Sequence, residues 1–354
     1  MLFYLTPTVL RSVLIVPLSL SFTLLPTTTT HLSSLKKNPP VQPVSGYEPR
    51  RRSFRPSFAT MASGGQQFPP QTQKRQPGKE HVMEPTPQAV LHDYKAANKL
   101  QGKVALVTGG DSGIGRAVCY CLAMEGATVA FTYVKSQEGK DAEDTLQMLR
   151  EIKKGADVKD PIAIPADLGF EDNCRKVVEE VAGTYGRIDI LVNNAAEQYV
   201  KTCITNITEE QLERVFRTNI FSYFLTTKHA VKYMKEGSSI INTTSVNAYK
   251  GNAMLLDYTA TKGAIVGFTR GLALQLAGKG IRVNGVAPGP VWTPLIPASM
   301  SEEMVANFGK EVPLGRAGQP HEIAPSYVFL ACCQDSSYVT GQVIHPNGGT
   351  VVNG

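Results

Sequence analysis

The chain from Lys103 onward alternates short apolar runs with longer segments whose apolar residues recur at helical spacing. The short runs are rich in Val, Ile and Thr, as strands are, and the segments between them have the length of helices. No internal repeat of solenoid length is present. We therefore predict alternating strands and helices. The predicted strands begin at Val104, Thr128, Pro161, Ile188, Ser239, Ile281 and Gln342.

Most of these runs are apolar at consecutive positions rather than at alternate ones. Strands of this kind are typical of parallel sheets that helices cover on both faces. The predicted fold class is α/β, a doubly wound sheet of about seven parallel strands with helices on both faces, in a single domain over residues 100–354. Helices are predicted to begin near Gly113, Glu138, Glu171, Thr208, Asp257 and Pro320.

The first hundred residues have a different composition. Residues 1–60 contain seven Lys or Arg, one acidic residue and many Ser, Thr and Pro, which is typical of an organelle transit peptide. Residues 61–99 are polar and rich in Pro and Gly, so we expect an extended arm rather than a packed domain. The composition of residues 1–60, called the leader below, favours targeting to the chloroplast. Translation from Met61 would leave the protein in the cytoplasm, and the apolar first 25 residues keep secretion or membrane anchoring as an alternative.

The leader also carries the whole of the chain's net charge of +6, so the remaining residues contain equal numbers of basic and acidic side chains. A balanced domain lacks the electrostatic footprint of a nucleic-acid binder, and we expect no nucleic-acid and no membrane partner. The six cysteines include no C-x-x-C pair, and the histidines form no cluster at metal-ligand spacing. We therefore expect no metal site.

The turn after the first predicted strand reads TGGDSGIG, from Thr108 to Gly115, and opens a helix. Gly109 permits a tight turn, Gly113 lets the backbone approach a pyrophosphate, and Gly115 allows close packing. The free N–H groups of the helix N-terminus would face the anion. The expected ligand is a dinucleotide. The spacing differs from the general G-x-G-x-x-G fingerprint, so a glycine-rich loop without a ligand remains the alternative.

A second group of residues, Ser245, Tyr258 and Lys262, suggests proton transfer. Tyr258 and Lys262 are four residues apart and share one face of a predicted helix. An ammonium beside a phenol favours the phenolate, which would move the pKa of Tyr258 down toward the working pH. Ser245 follows a predicted strand, at the edge where open α/β sheets bind ligands. The alternative is a helical Tyr with an unrelated Lys one turn later.

Together with further segments, these motifs resemble the short-chain dehydrogenase/reductase family over about residues 101–350. The further segments are Ala166-Asp167, NNAA from Asn193, Asn219 within a helix, and PGPVWT from Pro288. The turn and the upstream QPGKEH are similar to those of plant members. The chain departs from the family pattern at Ala196, where glycine is more usual, and at His345-Pro346-Asn347, where an Asp usually precedes the last glycines.

The resemblance implies a Rossmann-type fold, a nicotinamide dinucleotide cofactor, and a catalytic tetrad of Asn219, Ser245, Tyr258 and Lys262. In this family the Lys also binds the nicotinamide ribose, and the Asn positions a water. Cofactor contacts are expected from Thr108, Gly109, Asp111, Ser112, Gly113, Ile114, Gly115, Tyr133, Lys135, Asp167, Leu168, Asn194, Ala195, Ala196, Tyr258, Lys262, Pro288, Gly289, Val291 and Thr293.

The choice between NAD(H) and NADP(H) is made at the end of the second strand, where NAD enzymes usually offer an acid to the ribose. This position is predicted to be Tyr133, with Lys135 within reach of a 2′-phosphate. We therefore expect NADP(H), with NAD(H) as the alternative. The basic residue that the glycine turn of an NADP enzyme would contain is absent.

The implied reaction is reduction of a carbonyl to an alcohol, with Tyr258 as proton donor. Substrate contacts are expected from Ser245, Gln198, Asn247 and Trp292, in a mostly apolar setting that favours aldehydes over free sugars. A sugar or polyol dehydrogenase, and a catalytically silent nucleotide-binding protein, remain alternatives. The family also implies a homotetramer, joined through the helices near residues 208–235 and 257–278.

Overall fold

A computed structural model describes residues 68–91, 93–152 and 158–352, without the side chains of residues 135–137. The transit-peptide prediction for residues 1–60 and the alternative start at Met61 lie outside the described residues. The described residues all belong to one compact unit. None of its described helices combines the length and the apolar character that crossing a bilayer requires.

Seven parallel strands form one sheet in the order β3-β2-β1-β4-β5-β6-β7, which confirms the predicted fold class. Each strand begins within two residues of its predicted start, and β1, β4, β5 and β6 are buried along their whole length. The strands are β1 (Val104–Val107), β2 (Thr128–Tyr133), β3 (Ile162–Pro165), β4 (Ile190–Asn193), β5 (Ser239–Thr243), β6 (Arg282–Val286) and β7 (Val343–Ile344).

Helices cover both faces of this sheet. Helix α4 begins next to Thr208, as predicted, and Thr208 caps it by accepting a hydrogen bond from the backbone N–H of Gln211. One π-helical turn, Arg217–Phe221, joins α4 to α5. The α-helices are α1 (Gly113–Met124), α2 (Lys135–Ile152), α3 (Glu171–Tyr185), α4 (Glu209–Phe216), α5 (Ser222–Ala230), α6 (Asn247–Lys250), α7 (Leu256–Leu276), α8 (Glu302–Ala306), α9 (Pro320–Ala331) and α10 (Cys333–Ser336).

Strand β1 shows how the sheet separates two cores. Ala105 and Val107 face α1, α2 and α9, whereas Val104 and Leu106 face α3, α5 and α7. Successive side chains of a strand point to opposite faces, so a consecutive apolar run fills both layers at once. The carboxyl ends of the strands are thereby held together along one edge.

The described part of the arm contains no strand or helix, but it is folded against the domain. Phe68 stacks on Trp292 with ring centroids 3.8 Å apart, and the indole N–H of Trp292 donates to the carbonyl oxygen of Pro85 at 2.8 Å. The buried Glu80 bonds the guanidinium of Arg116 on α1 at 2.5 Å. The arm is therefore tied to the same elements that form the glycine turn.

Candidate active site

A cavity of about 430 Å³ lies at the carboxyl ends of β1 to β6, where open α/β sheets bind ligands. Most of the predicted site residues line it, and they come from segments that are far apart in the sequence. These residues are Gly109, Asp111, Ser112, Gly113, Ile114, Tyr133, Asp167, Leu168, Asn194, Ala195, Ala196, Gln198, Ser245, Asn247, Tyr258, Lys262, Pro288, Gly289, Val291 and Thr293.

The glycine turn has the backbone geometry that its sequence predicts. Gly109 has φ +63°, which favours glycine, and a Cβ atom on Gly115 would overlap the carbonyl oxygen of Gly109. Gly115 and Thr108 do not line the cavity. Thr108 holds the turn beside the next strand, because its hydroxyl accepts hydrogen bonds from the N–H groups of Asn194 and Ala195 at 2.8 and 3.1 Å.

One N–H group at the start of α1 is not free, contrary to the prediction. The backbone N–H of Gly113 donates to the Glu80 carboxylate at 2.6 Å. A carboxylate at a helix N-terminus is favoured by the helix dipole and by the unpaired N–H groups there. Here the arm supplies it. The arm residues Gln76, Pro77 and Gly78 line the cavity as well; the sequence contains no signal that places them there.

Tyr258 and Lys262 lie on one face of α7, as their spacing predicts, and both are buried. The Lys262 ammonium lies 5.3 Å from the centre of the Tyr258 ring and donates to the carbonyl oxygen of Thr243 at 2.8 Å. Burial lowers the pKa of Lys262 to about 7. Lys262 therefore carries a charge that can titrate near neutral pH.

The predicted downward shift of the Tyr258 pKa is wrong. Burial raises the pKa of Tyr258 to about 12, and the hydrogen bond with Ser245 only partly opposes this. Removing the phenol from water disfavours the phenolate more than its surroundings favour it. Tyr258 is therefore protonated at neutral pH, in the form that donates a proton. Ser245, two residues after the end of β5, also accepts the N–H of Asn247 at 3.2 Å.

Asn219 does not line the cavity. It is fully buried in the π-helical turn, where its amide accepts the N–H of Glu197 and donates to the carbonyl oxygen of Glu197, each at 2.8 Å. It also donates to the Thr261 hydroxyl, on α7 beside Lys262, at 3.2 Å. In this arrangement Asn219 joins the loop after β4 to the helix of Tyr258. Single π-helical turns are frequent at functional sites.

The opposite end of the cavity is formed by the ends of β2 and β3. Asp167 accepts a hydrogen bond from Arg214 at 2.7 Å, and Arg214 also pairs with the buried Glu197. Arg214 lines the cavity but was not predicted, because its position on α4 gives no sign that it reaches β3. The side chain of Lys135, predicted to contact the cofactor, lies outside the described residues.

Tyr133 ends β2, as predicted, but a carboxylate that was not predicted lies beside it. Glu138, in the first turn of α2, reaches back to accept the backbone N–H of Val134 at 2.7 Å, and it lines the cavity together with Tyr133. Asp111 of the glycine turn lies beside it and is also buried. A prediction made from the residues at the end of a strand does not detect a side chain that folds back from the following helix.

The substrate end contains Gln198 and Asn247, as predicted, but not Trp292. Trp292 is fully buried beneath the arm and does not line the cavity, so its placement contradicts the predicted substrate contact. Gln198 donates to the Ser299 hydroxyl at 2.9 Å, which ties the loop after β4 to the loop after β6. The further lining residues here are polar as well as apolar: Lys250, Asn252, Asn307 and Glu311 beside Met254, Leu295, Met300, Met304 and Phe308.

Comparisons with known proteins agree with this geometry. A family described as enoyl-(acyl carrier protein) reductase matches residues 109–351. An Arabidopsis thaliana protein named NADPH-dependent aldehyde reductase 1, chloroplastic, is 74% identical over 283 residues, which are 80% of this chain and 98% of that protein. A Daucus carota protein named glucose and ribitol dehydrogenase is 71% identical over 294 residues, 83% of this chain and all of that protein.

Among solved structures, a short-chain dehydrogenase from Burkholderia cenocepacia in complex with NADP has a TM-score of 0.64 and 30% identity. The match covers 71% of this chain and 98% of that one. The family match over residues 109–351 includes Ser245, Tyr258, Lys262 and the glycine turn from Gly109 onward. The chain therefore belongs to the short-chain dehydrogenase/reductase family of oxidoreductases.

Proposed function

We propose that the chain reduces aldehydes to alcohols with NADPH, and that Tyr258 donates the proton. The observation that carries the proposal is that Ser245, Tyr258 and Lys262 meet in the cavity that the glycine turn also lines. The relative named NADPH-dependent aldehyde reductase supports the substrate class and the cofactor. The NADP complex of the B. cenocepacia structure supports the cofactor as well.

The cavity suits a dinucleotide in both extent and chemistry. It runs from Tyr133 and Asp167, past the N-terminus of α1, to Tyr258 and Lys262. The N-terminus of α1 supports this assignment, because Ser112 and Gly113 line the cavity there, and a Cβ atom on Gly113 would lie 3.1 Å from the Thr293 side chain. When bound, the nicotinamide supplies the hydride that the carbonyl carbon receives.

The chain's own residues handle the oxygen of the substrate. The Ser245 hydroxyl orients and polarises the carbonyl oxygen, and Tyr258, protonated because burial raises its pKa, gives its phenolic proton to that oxygen. Lys262 stabilises the phenolate that remains, by its positive charge. The proton on Tyr258 is then restored from solvent. Asn219 acts as a positioning residue, since it fixes the loop after β4 against α7.

A polyol oxidation is the second candidate, because polar side chains line the substrate end. Lys250, Asn252 and Asn307 could bond hydroxyl groups there, and the D. carota relative is named glucose and ribitol dehydrogenase. The test is a panel of aldehydes with NADPH and NADH, run beside a panel of polyols and sugars with NADP+ and NAD+. We expect the highest kcat/KM for an aldehyde with NADPH. A higher kcat/KM for a polyol would select the second candidate, and cofactor binding without turnover would select a silent binding protein.

We also propose a homotetramer formed through α4, α5 and α7. Large apolar side chains are exposed on these helices, among them Leu212 on α4, Phe224 on α5 and Leu256 and Leu274 on α7. Exposed apolar groups concentrated on one set of elements favour association. Light scattering after size-exclusion chromatography tests this. A monomer at micromolar concentration would contradict it.

Chloroplast targeting by residues 1–60 is part of the proposal, supported by the composition of the leader and by the name of the A. thaliana relative. Fusing residues 1–60 to a fluorescent protein tests it, with the chain from Met61 as the comparison. We expect plastid fluorescence for the first fusion and cytoplasmic fluorescence for the second. Cytoplasmic fluorescence from both would contradict it.

A further inference from the structure

The QPGKEH segment, residues 76–81, belongs to the arm but lies at the cavity. Gln76, Pro77 and Gly78 line the cavity, and both Gly78 and Glu80 are buried. The described part of the arm contains neither strand nor helix, so no ladder of backbone hydrogen bonds holds this segment in place. Its position is fixed by contacts with two separate parts of the cavity wall.

The first attachment is to the N-terminus of α1. The Glu80 carboxylate accepts the backbone N–H of Gly113 at 2.6 Å and bonds the Arg116 guanidinium at 2.5 Å. The backbone N–H groups of Glu80 and His81 donate to the Asp141 carboxylate on α2, at 2.8 and 2.9 Å. Hydrogen bonds to ionised groups are stronger than neutral ones, the more so where water is excluded. These bonds hold the end of the segment beside the glycine turn.

The second attachment is to the loop after β6, residues 287–301. Gly78 packs against this loop so closely that a Cβ atom would lie 2.3 Å from the carbonyl oxygen of Pro294. Only glycine allows two backbones to approach in this way. The backbone N–H of Gln73 donates to the carbonyl oxygen of Pro297, in the same loop, at 2.7 Å. The arm therefore also holds the loop after β6.

Gln73 joins the two attachments. Its side-chain amide accepts the backbone N–H of Lys79 at 2.7 Å and donates to the carbonyl oxygen of Lys79 at 2.8 Å. Lys79 lies between Gly78 and Glu80, which make the close contacts described above. Gln73 thus bonds the loop after β6 with its backbone and the QPGKEH segment with its side chain. The two attachments cannot separate unless some of these hydrogen bonds break.

The two attached parts of the wall meet at one point of the cavity. A Cβ atom on Gly113 would lie 3.1 Å from the Thr293 side chain and 3.6 Å from Pro294, and all three residues line the cavity. In doubly wound folds the pyrophosphate of a dinucleotide binds at the N-terminus of the first helix. In the proposed cofactor site, the nicotinamide half of the dinucleotide would therefore extend from this point toward Tyr258.

Given the proposed cofactor site, we propose that the QPGKEH segment positions the loop after β6 against the pyrophosphate and the nicotinamide half of the dinucleotide. The segment holds Pro294, and with it the neighbouring Thr293, beside the N-terminus of α1. Docking of the arm and binding of the cofactor are therefore coupled, and each strengthens the other to the same extent. The adenosine half binds at the ends of β2 and β3, to which the contacts of the segment do not extend, so its binding depends little on the arm.

The substitution Gly78→Ala tests this coupling by calorimetry on the full chain. The added Cβ atom displaces the arm or the loop after β6, so the loop is no longer fixed before the cofactor binds. Ordering a single backbone residue on binding costs about a factor of ten in affinity. We therefore expect the Kd of NADPH to rise at least about tenfold, while the Kd of 2′,5′-ADP, which lacks the nicotinamide half, stays within a factor of about 3. Gly183→Ala is the matched control, because a Cβ atom at this exposed position of α3 meets nothing within 4 Å.

Two further measurements keep the test decisive if Gly78→Ala does not fold. Gln73→Ala removes the bonds to Lys79 without adding an atom, and it should raise the Kd of NADPH, but not that of 2′,5′-ADP, by about 3- to 10-fold. In the wild type, trypsin can cleave the arm after the exposed Arg75 when the arm opens. Saturating NADPH should slow this cleavage at least about tenfold, and 2′,5′-ADP should slow it less than about threefold, each relative to cleavage after the exposed Lys279.

The proposal is overturned if the folded Gly78→Ala variant binds NADPH within a factor of about 2 of the wild type, or loses affinity for NADPH and for 2′,5′-ADP equally. It is also overturned if NADPH slows cleavage after Arg75 no more than cleavage after Lys279. If neither NADPH nor 2′,5′-ADP binds the wild type, the proposed cofactor site itself is wrong.

Discussion

Replacing Glu80 with Ala tests whether the arm is part of the domain. The carboxylate is fully buried, bonds Arg116 at 2.5 Å and accepts the N–H of Gly113 at 2.6 Å. Removing one partner of a buried pair costs about 3–5 kcal/mol, because the other charge is left without its partner. Asp141 remains 3.6 Å from Arg116, which favours the lower end of that range. At about 2 °C per kcal/mol for a chain of this size, Tm should fall by roughly 6–10 °C.

The assay is thermal unfolding at one protein concentration, with Glu84→Ala as the control, since Glu84 lies in the same arm but is exposed. A double-mutant cycle with Arg116→Ala should give a coupling energy of about 1–3 kcal/mol between Glu80 and Arg116. The arm would not be an integral part of the domain if Glu80→Ala and Glu84→Ala melted within about 1 °C of each other.

Three further changes are expected to have distinct effects. Trp292→Phe leaves the carbonyl oxygen of Pro85 without its donor and should lower the free energy of unfolding by about 1–3 kcal/mol; because Trp292 lies outside the cavity, a changed KM for the aldehyde would contradict its placement. Asn219→Ala should lower kcat more than it raises the Kd of NADPH, and the reverse in stopped-flow binding and steady-state assays would contradict a positioning role. Burial places the folded pKa of Lys262 below its unfolded value, so its contribution to stability is present above about pH 10 and is lost as the pH falls toward 7. As the pH falls over that range, the Tm of Lys262→Met should therefore rise relative to the Tm of the wild type. A difference in Tm that does not change with pH would contradict the lowered pKa of Lys262.

The fold could be predicted because its signals are local. Apolar runs such as Val104–Val107 define strands buried on both faces, and Thr208 marks the start of α4. The Ser245, Tyr258 and Lys262 set could be predicted for a similar reason. One strand end and one helical turn determine where these side chains lie, whatever the rest of the chain does.

What the sequence did not reveal depends on tertiary contacts. The carboxylate of Glu80 reaches the glycine turn from the arm, and that of Glu138 reaches the cavity from α2; no spacing rule connects either one with the glycine turn. Trp292 follows a strand end, as substrate contacts do, but the arm covers it. The pKa of Tyr258 was predicted from one neighbouring charge, whereas burial, which only the folded structure reveals, is the larger influence.

The most direct test of the central claim compares the wild type with Tyr258→Phe in the oxidation of NADPH by an aldehyde. The substitution removes the proton donor and little else, so kcat should fall by about 10²–10⁴ while the Kd of NADPH, measured separately by calorimetry, stays within a factor of about 3. A Tyr258→Phe variant that binds NADPH normally and turns over the aldehyde at the wild-type rate would contradict the assignment of Tyr258 as the proton donor.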